Sequence, residues 1–192
     1  MPIQYKDGIV QEHKFTRSSS GIFDVSHMGQ LFISGTDNLT KDLERIFPAN
    51  LGNLNLNQSK YSFLMNDNGG IQDDLIITKT KEGYLIILNA ACKYNDYEVI
   101  KSKLDNQYKL NLEESLSLFS LHGPEAKIVL NKLIGKKFKV TGAVTQLGVL
   151  GCNKKNWNEK EIRKNPFFCP DKKSIKLWEK YLLAVRKAGS SC

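Results

Sequence analysis

Several features that would assign the chain to a functional class at once are missing from its sequence. No apolar run approaches the ~18 residues that a membrane helix needs, and the N-terminal stretch MPIQYKDGIVQEHKF carries charges where a secretory signal would be apolar. The four cysteines form no C-x-x-C pair, which disfavours a zinc site. No glycine-rich phosphate loop is present either. These absences favour a reduced, soluble, intracellular protein without a metal.

Charge is distributed very unevenly along the 192 residues. Residues 1–135 hold 14 Lys and Arg against 16 Asp and Glu, whereas residues 136–192 hold 14 against 4. The net charge therefore changes from −2 to +10 between these segments, a difference that the total of +8 hides. We predict a folded region over residues 1–137 and a basic tail of unknown fold over residues 138–192, with helical spacing near residues 174–188.

The basic tail suggests a function of its own. Aromatic side chains lie among its lysines, at Trp157, Phe167, Phe168 and Trp178. Such interleaving can stack on single-stranded nucleic acid or bind an acidic partner. The more ordinary interpretation is a solvated tail, and nucleic-acid binding is kept as an alternative.

The periodicity of the apolar residues predicts an α+β fold. Residues 21–33 are interpreted as a turn and one strand, and Leu39, Leu43 and Ile46 recur at helical spacing in the segment that follows. A hairpin, a third strand, a helix and further alternating strands come next, and Pro124 opens a last helix. This order predicts mostly antiparallel sheets with flanking helices.

The stretch NDNGGIQDDLII places two adjacent carboxylates at the start of a strand. Gly69 and Gly70 predict a hairpin turn, and Asp73 and Asp74 begin the returning strand. Successive side chains of a strand point to opposite faces, so the two aspartates are expected to have different roles. One of them could face a cavity and hold a nitrogen group by a charge-assisted hydrogen bond. From this segment alone, two ordinary turn residues are the favoured interpretation.

Two further stretches contain side chains that invite functional interpretations. The stretch FDVSHMGQ contains Asp24, Ser26 and His27, but a serine and histidine adjacent on an extended segment point apart and cannot form a hydrolytic triad. Met28 could form a soft wall for a flat ring, and Asn89 could offer a donor and an acceptor to a heterocycle. A core methionine and a helix-capping asparagine are equally ordinary alternatives.

Four stretches together resemble one known family. They are MPIQYKDGIVQEHKFTRSSSGIFDVSHMGQ, YSFLMNDNGGIQDDLII, LNAACKYND and SLFSLHGPEA, and their order and separations are similar to those of the glycine cleavage T-protein, an aminomethyltransferase. The resemblance covers roughly residues 1–135. It implies a partial version of a three-domain fold around tetrahydrofolate. It also implies a reaction in which an aminomethyl group on the lipoyl arm of H-protein gives its methylene to tetrahydrofolate with release of ammonia.

The resemblance also implies site residues. Asp73, the first aspartate of the GG-x-x-DD motif, would be the catalytic acidic residue that holds and polarises the attacking folate nitrogen, with Asp74 as its outward partner. Positions that bind the folate pterin are matched by Met28, Tyr61, Leu75 (mainly through its backbone) and Asn89. The compartment implied is the cytoplasm, or the mitochondrial matrix of a eukaryote.

The sequence departs from the family pattern in its second half. The GYTGE, GYE and GLGARD stretches and the barrel-like third domain are not found, and residues 138–192 match no part of the family. A frameshift, a gene-model error or a fusion would explain this, and weak or no folate turnover is expected from this chain alone. A non-catalytic folate-binding relative, such as an iron–sulfur assembly factor or a demethylase domain, is the alternative within the same fold.

Overall fold

The computed structural model describes residues 7–104, 106–134 and 148–153, with four helices and eight strands in these ranges. The helices are α1 (Gly8–Ser18), α2 (Leu39–Ile46), α3 (Lys93–Lys103) and α4 (Ala126–Ile134). The strands are β1 (Gly21–Asp24), β2 (Gly29–Ser34), β3 (Ser59–Met65), β4 (Ile71–Lys79), β5 (Gly83–Leu88), β6 (Lys109–Glu113), β7 (Leu116–His122) and β8 (Gly148–Asn153). No helix in these ranges combines the length and apolarity needed to cross a bilayer.

The first of two compact units spans residues 27–114 and contains a five-stranded sheet. Its strand order is β3-β4-β5-β2-β6, and every neighbouring pair is antiparallel. Leu39, Leu43 and Ile46 recur on one face of α2 and are buried, and Ile100 of α3 is buried in the same apolar cluster. This cluster also contains the inward side chains of the strands, among them Leu64, Leu75, Ile77 and Ile86. The core therefore lies between one face of the sheet and the helices.

The second unit contains the described residues before 27 and after 114. Its sheet has the order β1-β7-β8, again antiparallel, with Gly21 opposite His122. Gly123 follows β7 with φ of 109°, and a Cβ there would lie 2.3 Å from the backbone oxygen of Ser19. Only glycine fits this close approach without strain, and Glu125 then donates its N–H to the same oxygen at 3.0 Å.

The α+β class and the antiparallel pairing are confirmed, but one predicted strand is two. Residues 21–33 were expected to form a single strand after a turn, whereas β1 and β2 belong to different units. Asp24 Oδ1 accepts bonds from the backbone N–H and the hydroxyl of Ser26, a local turn that ends β1. Helix α1, in which no side chain is buried, was not predicted from the sequence.

The helix predicted to open at Pro124 begins slightly later in the structure. The helix α4 begins at Ala126, two residues after Pro124. The predicted helix near residues 174–188 and the aromatic residues of the basic tail lie outside the described residues.

Candidate functional site

The β3–β4 hairpin positions the aspartate pair. Its turn is closed by the side chain of Asn66, whose Oδ1 accepts N–H groups of Asn68 and Gly70 at 3.1 and 2.7 Å. Gly69 has φ of 79°, a conformation that favours glycine. The pairing then shifts by one residue, because Leu64 faces Asp73 whereas Met65 faces residue 71. A bulge of this kind re-aims the side chains that follow it.

Asp73 lies on the core side of β4, opposite the buried Leu64. Its Oδ1 accepts bonds from Asn89 Nδ2 at 2.8 Å and from the backbone N–H of Asp74 at 2.9 Å. Burial by itself raises the pKa of Asp73, but hydrogen bonds from Asn89, Asp96, the Asp74 backbone and Cys92 together lower it below the ordinary value. Asp73 is therefore an anion held by several donors.

Asp96 covers Asp73 from the first turn of α3 and is only 1 % exposed. Burial, the hydrogen bond to Asp73 and the charge of Asp73 raise the pKa of Asp96 to about 7. The helix N-terminus favours an anion here by about 0.3–1 kcal/mol, whereas burying a second charge costs several kcal/mol. The cost of burial is the larger of the two, which agrees with the raised pKa of Asp96 beside the ionised Asp73.

Asp74 lies on the other face of the strand and has a different environment. Tyr61 donates its hydroxyl to Asp74 Oδ2 at 2.9 Å, and its side chain is exposed. The hydrogen bond to Asp74 is the main reason why the pKa of Tyr61 is raised. The ring of Tyr61 meets that of Phe63 edge to face, with centroids 5.3 Å apart. The exposed Tyr61 and the half-buried Phe63 thus flank the Asp74 carboxylate.

Asn89 joins the two aspartates at the end of β5. Its Nδ2 lies 2.8 Å from Asp73 Oδ1, 3.0 Å from Asp74 Oδ1 and 3.2 Å from the Asp74 backbone oxygen. Because all three neighbouring atoms are acceptors, the Asn89 side chain must point its NH₂ group, and not its oxygen, toward the aspartates. The aspartates face opposite sides of the sheet, as predicted from the strand period, and yet one side chain connects them.

The other predicted positions lie close in the sheet. Leu75 is buried in β4, next to Asp74. Gly29 pairs with Leu88, so continuing this register by one residue sets the half-buried Met28 opposite Asn89. The structure therefore links Tyr61, Asp74, Asn89 and Asp73 by hydrogen bonds, and it places the remaining two positions beside that network.

Two residues of the network were missed from the sequence. Asp96 was not singled out, although it lies four residues before Ile100, on the face that the helical pattern predicts to be buried. A charged residue on an apolar helix face was the available signal. Cys92 also contacts Asp73, and burial, followed by the charges of Asp73 and Asp96, raises the pKa of its thiol.

Other features of the described part of the chain do not form a second site. Ser26 donates its hydroxyl to Asp24 at 2.5 Å, which makes the pair a turn-forming contact. Two shallow hollows lie at the C-terminal end of α3, lined by residues such as Lys101 and Leu104 and by none of the five predicted site residues. Within the described ranges no three His, Cys, Asp or Glu side chains are grouped as metal ligands would be.

Comparisons with known proteins agree on a family for most of the chain. Residues 1–149 match the GCVT N-terminal domain family. A probable mitochondrial aminomethyltransferase of Schizosaccharomyces pombe is 43 % identical over 138 residues, which cover 70 % of this chain and 35 % of the relative. The crystal structure of the glycine cleavage system aminomethyltransferase T from Bartonella henselae superposes with a TM-score of 0.64 at 32 % identity, covering 71 % of this chain and 37 % of that one.

A shorter stretch is similar to a different enzyme. Seventy residues, 36 % of this chain, are 67 % identical to the chorismate synthase of Pelagibacter ubique, of which they cover 19 %. The chain thus spans about a third of the two aminomethyltransferases and a fifth of the chorismate synthase. The family match over residues 1–149 covers well over half of the 192 residues. The chain belongs to the glycine cleavage T-protein family, of which it carries the GCVT N-terminal domain.

Proposed function

We propose that this chain takes part in the aminomethyltransferase reaction of the glycine cleavage system. An aminomethyl group on the lipoyl arm of H-protein would give its methylene to tetrahydrofolate, and ammonia would be released. The names of the matching relatives support this reaction. The chain spans about a third of their length, so the activity, the folate substrate and the H-protein partner all belong to the proposal. A cytoplasmic or mitochondrial-matrix location stays a prediction.

The main support for the proposal is the carboxylate of Asp74, which is held on two sides beside the exposed ring of Tyr61. Asn89 holds Oδ1 and the Tyr61 hydroxyl holds Oδ2. A carboxylate held in this way can accept a proton from a folate nitrogen and stabilise the positive charge that develops as the nitrogen attacks the methylene carbon. Preorganised electrostatics of this kind contribute about 3–4 kcal/mol to barrier lowering.

We propose different roles for the two aspartates. The sequence predicts that Asp73 meets the folate, and this stays a prediction. In the structure its Oδ1 already accepts two bonds and its Oδ2 is buried, so direct contact requires the start of α3 to move. We propose that Asp74 presents its carboxylate to the folate and that Asp73 holds the network behind it.

The remaining predicted contacts fit the same ligand face. Tyr61 offers an exposed ring, 58 % accessible, on which a pterin can stack. Met28 supplies a polarisable apolar wall opposite Asn89. Leu75 is buried, so it can contribute only its backbone groups, as expected from the resemblance.

Binding by this chain alone is proposed to be weak. Ligand pockets usually bury most of a ligand's surface, and the relatives are about three times longer than the matched segment. We expect a dissociation constant near the millimolar range, about −4 kcal/mol. Isothermal titration with tetrahydrofolate would contradict this expectation if it gave micromolar affinity.

Ligand-induced NMR shifts test the proposed site itself. With millimolar tetrahydrofolate, the largest shifts are expected at the Tyr61 ring and the Asn89 side-chain amide. Asp74→Asn should remove them, whereas Asp67→Asn, at an exposed position of the hairpin turn, should not. Unshifted signals at both residues would remove the folate-binding proposal.

Part of the chain is proposed to have a separate origin. We place the match to chorismate synthase in the C-terminal part, because the T-protein-like stretches fill residues 1–135 and the net charge rises sharply after them. The matching segment covers only 19 % of that enzyme. It supports shared ancestry and gives no support for chorismate synthase activity in this chain. Peptides that span residues 130–150, sought by mass spectrometry in source cells, would establish a true fusion. A T-protein sequence continuing past residue 137 in the genomic DNA would instead show an artificial junction.

A further inference from the structure

Two carboxyl groups, those of the buried Asp96 and the half-buried Asp73, lie behind the proposed folate face. Asp96 is almost fully buried, and its Oδ2, like Oδ2 of Asp73, accepts no hydrogen bond from a donor among the described residues when both groups are ionised. The two carboxyl groups nevertheless lie close enough to interact and to shift each other's pKa. Two carboxylates contain only acceptors, so a hydrogen bond between them requires one proton, for which the two oxygens without a donor are available.

We propose that Asp96 is a positioning residue, which carries this proton, donates it to Asp73 and thereby fixes the network that aims Asp74. The link to folate rests on the proposed function, whereas the shared proton does not. Asp73 accepts from Asn89, and the same amide nitrogen bonds Asp74. Loss of the proton would set two anions side by side, one of them buried, and push Asp73 away from Asn89.

The surroundings of Asp96 contain no competing cation among the described residues that act on it. From β4 it faces Asp73, and from its own helix it meets Asn95 and lies close to the Cys92 thiol. Asp74 and its partner Tyr61 lie on the far face of β4. The charge that acts on Asp96 is therefore negative, which agrees with the raised pKa of its carboxyl.

Carboxyl-carbon NMR of the full chain, labelled at aspartate, tests the proton. We expect one aspartate to titrate near neutral pH in the wild type and in the Asp67→Asn control, and to be absent from Asp96→Asn and Asp96→Leu. Assignment of that signal to any residue other than Asp96, or titration of Asp96 below about pH 5, near its ordinary range, would overturn the proposal.

The side-chain amide of Asn89 tests the positioning role. Asp96→Asn retains a neutral donor for Asp73, so the Asn89 amide signals should keep their wild-type shifts and become insensitive to pH. Asp96→Leu removes the donor and should shift these signals and speed their exchange with water at least severalfold. Identical Asn89 signals in the two variants would refute the positioning role. If the leucine variant does not fold, the loss of Asn89 signals as the wild type is titrated through neutral pH decides the question, and their constancy refutes it.

These measurements need no ligand, so they are separate from the test of folate binding. Absence of folate-induced shifts together with a neutral-pH titration of Asp96 would reject the proposed function and leave the proton-sharing pair established. Folate binding together with an ordinary titration of Asp96 would reject the pair alone.

Discussion

The stability of the chain should fall as pH rises from about 4 to about 7, because of the carboxyl pair formed by Asp73 and Asp96. In the unfolded chain both groups ionise near 3.8, the ordinary aspartate value. In the folded chain Asp96 keeps its proton until about pH 7, so between these values the folded state binds one more proton than the unfolded state. Stability then decreases with rising pH. Below about pH 4 the lowered pKa of Asp73 reverses the sign, and stability falls as the solution becomes more acidic.

The size of the effect follows from the shift of Asp96. A change from 3.8 to about 7 is roughly three pKa units, or about 4 kcal/mol at 1.36 kcal/mol per unit. Because the two groups titrate together, we take this value as an upper bound and expect a loss of about 2–4 kcal/mol between pH 4.5 and 7.5. Asp96→Asn removes the titrating group and should flatten this part of the pH profile.

Urea unfolding followed by far-UV circular dichroism measures the difference. Tryptophan fluorescence is unsuitable, since both tryptophans lie after residue 153, outside the described residues. Unfolding free energies are compared for the wild type, Asp96→Asn and the control Asp67→Asn. The comparison is valid where the three proteins have the same dependence of unfolding free energy on urea concentration, because the same surface is then exposed on unfolding. Parallel pH profiles for the wild type and Asp96→Asn would refute the shared proton.

Three further substitutions test the fold and the site. Gly83→Ala should cost about 3 kcal/mol of stability, because φ is 144° and the added Cβ would lie 2.1 Å from a carbonyl oxygen of β2. The control Gly69→Ala has open space around it and should cost about 1 kcal/mol. Equal losses of stability in urea unfolding would contradict the reasoning. Ile100→Ala should destabilise the chain by about 3 kcal/mol, because it leaves a cavity in the core. The control Ile71→Ala, at an exposed position, should cost less than about 0.5 kcal/mol. Similar urea midpoints for the two variants would argue against the packing of α3. In a full-length relative, asparagine at the position of Asp74 should lower kcat about 100-fold with little change in KM, and an unchanged kcat would remove this carboxylate from the chemistry.

Local sequence patterns predicted the elements whose cause is local. Leu39, Leu43 and Ile46 at helical spacing identified α2, because a helix buries one face whatever the rest of the fold does. The stretch containing Gly69 predicted the β3–β4 hairpin, since the turn needs a residue that tolerates positive φ. The resemblance drew attention to the aspartate pair before any geometry was known.

Contacts between distant segments were beyond the reach of these patterns. The division of residues 21–33 into β1 and β2 depends on pairing with β7 in one sheet and with β5 and β6 in the other. The role of Asp96 depends on its approach to Asp73, which lies 23 residues earlier in the chain, and burial there changes the protonation of a carboxyl group. No local pattern contains that information.

The sequence by itself determined the fold class, the order of most elements, the family and the position of the aspartate pair, because these follow from periodicity, turn chemistry and motif. Tertiary structure alone decided that one asparagine joins both aspartates and that a third carboxyl group lies behind them. The physical reason is that the protonation and orientation of a carboxyl group depend on burial and on hydrogen-bond partners, which distant parts of the chain supply only after folding.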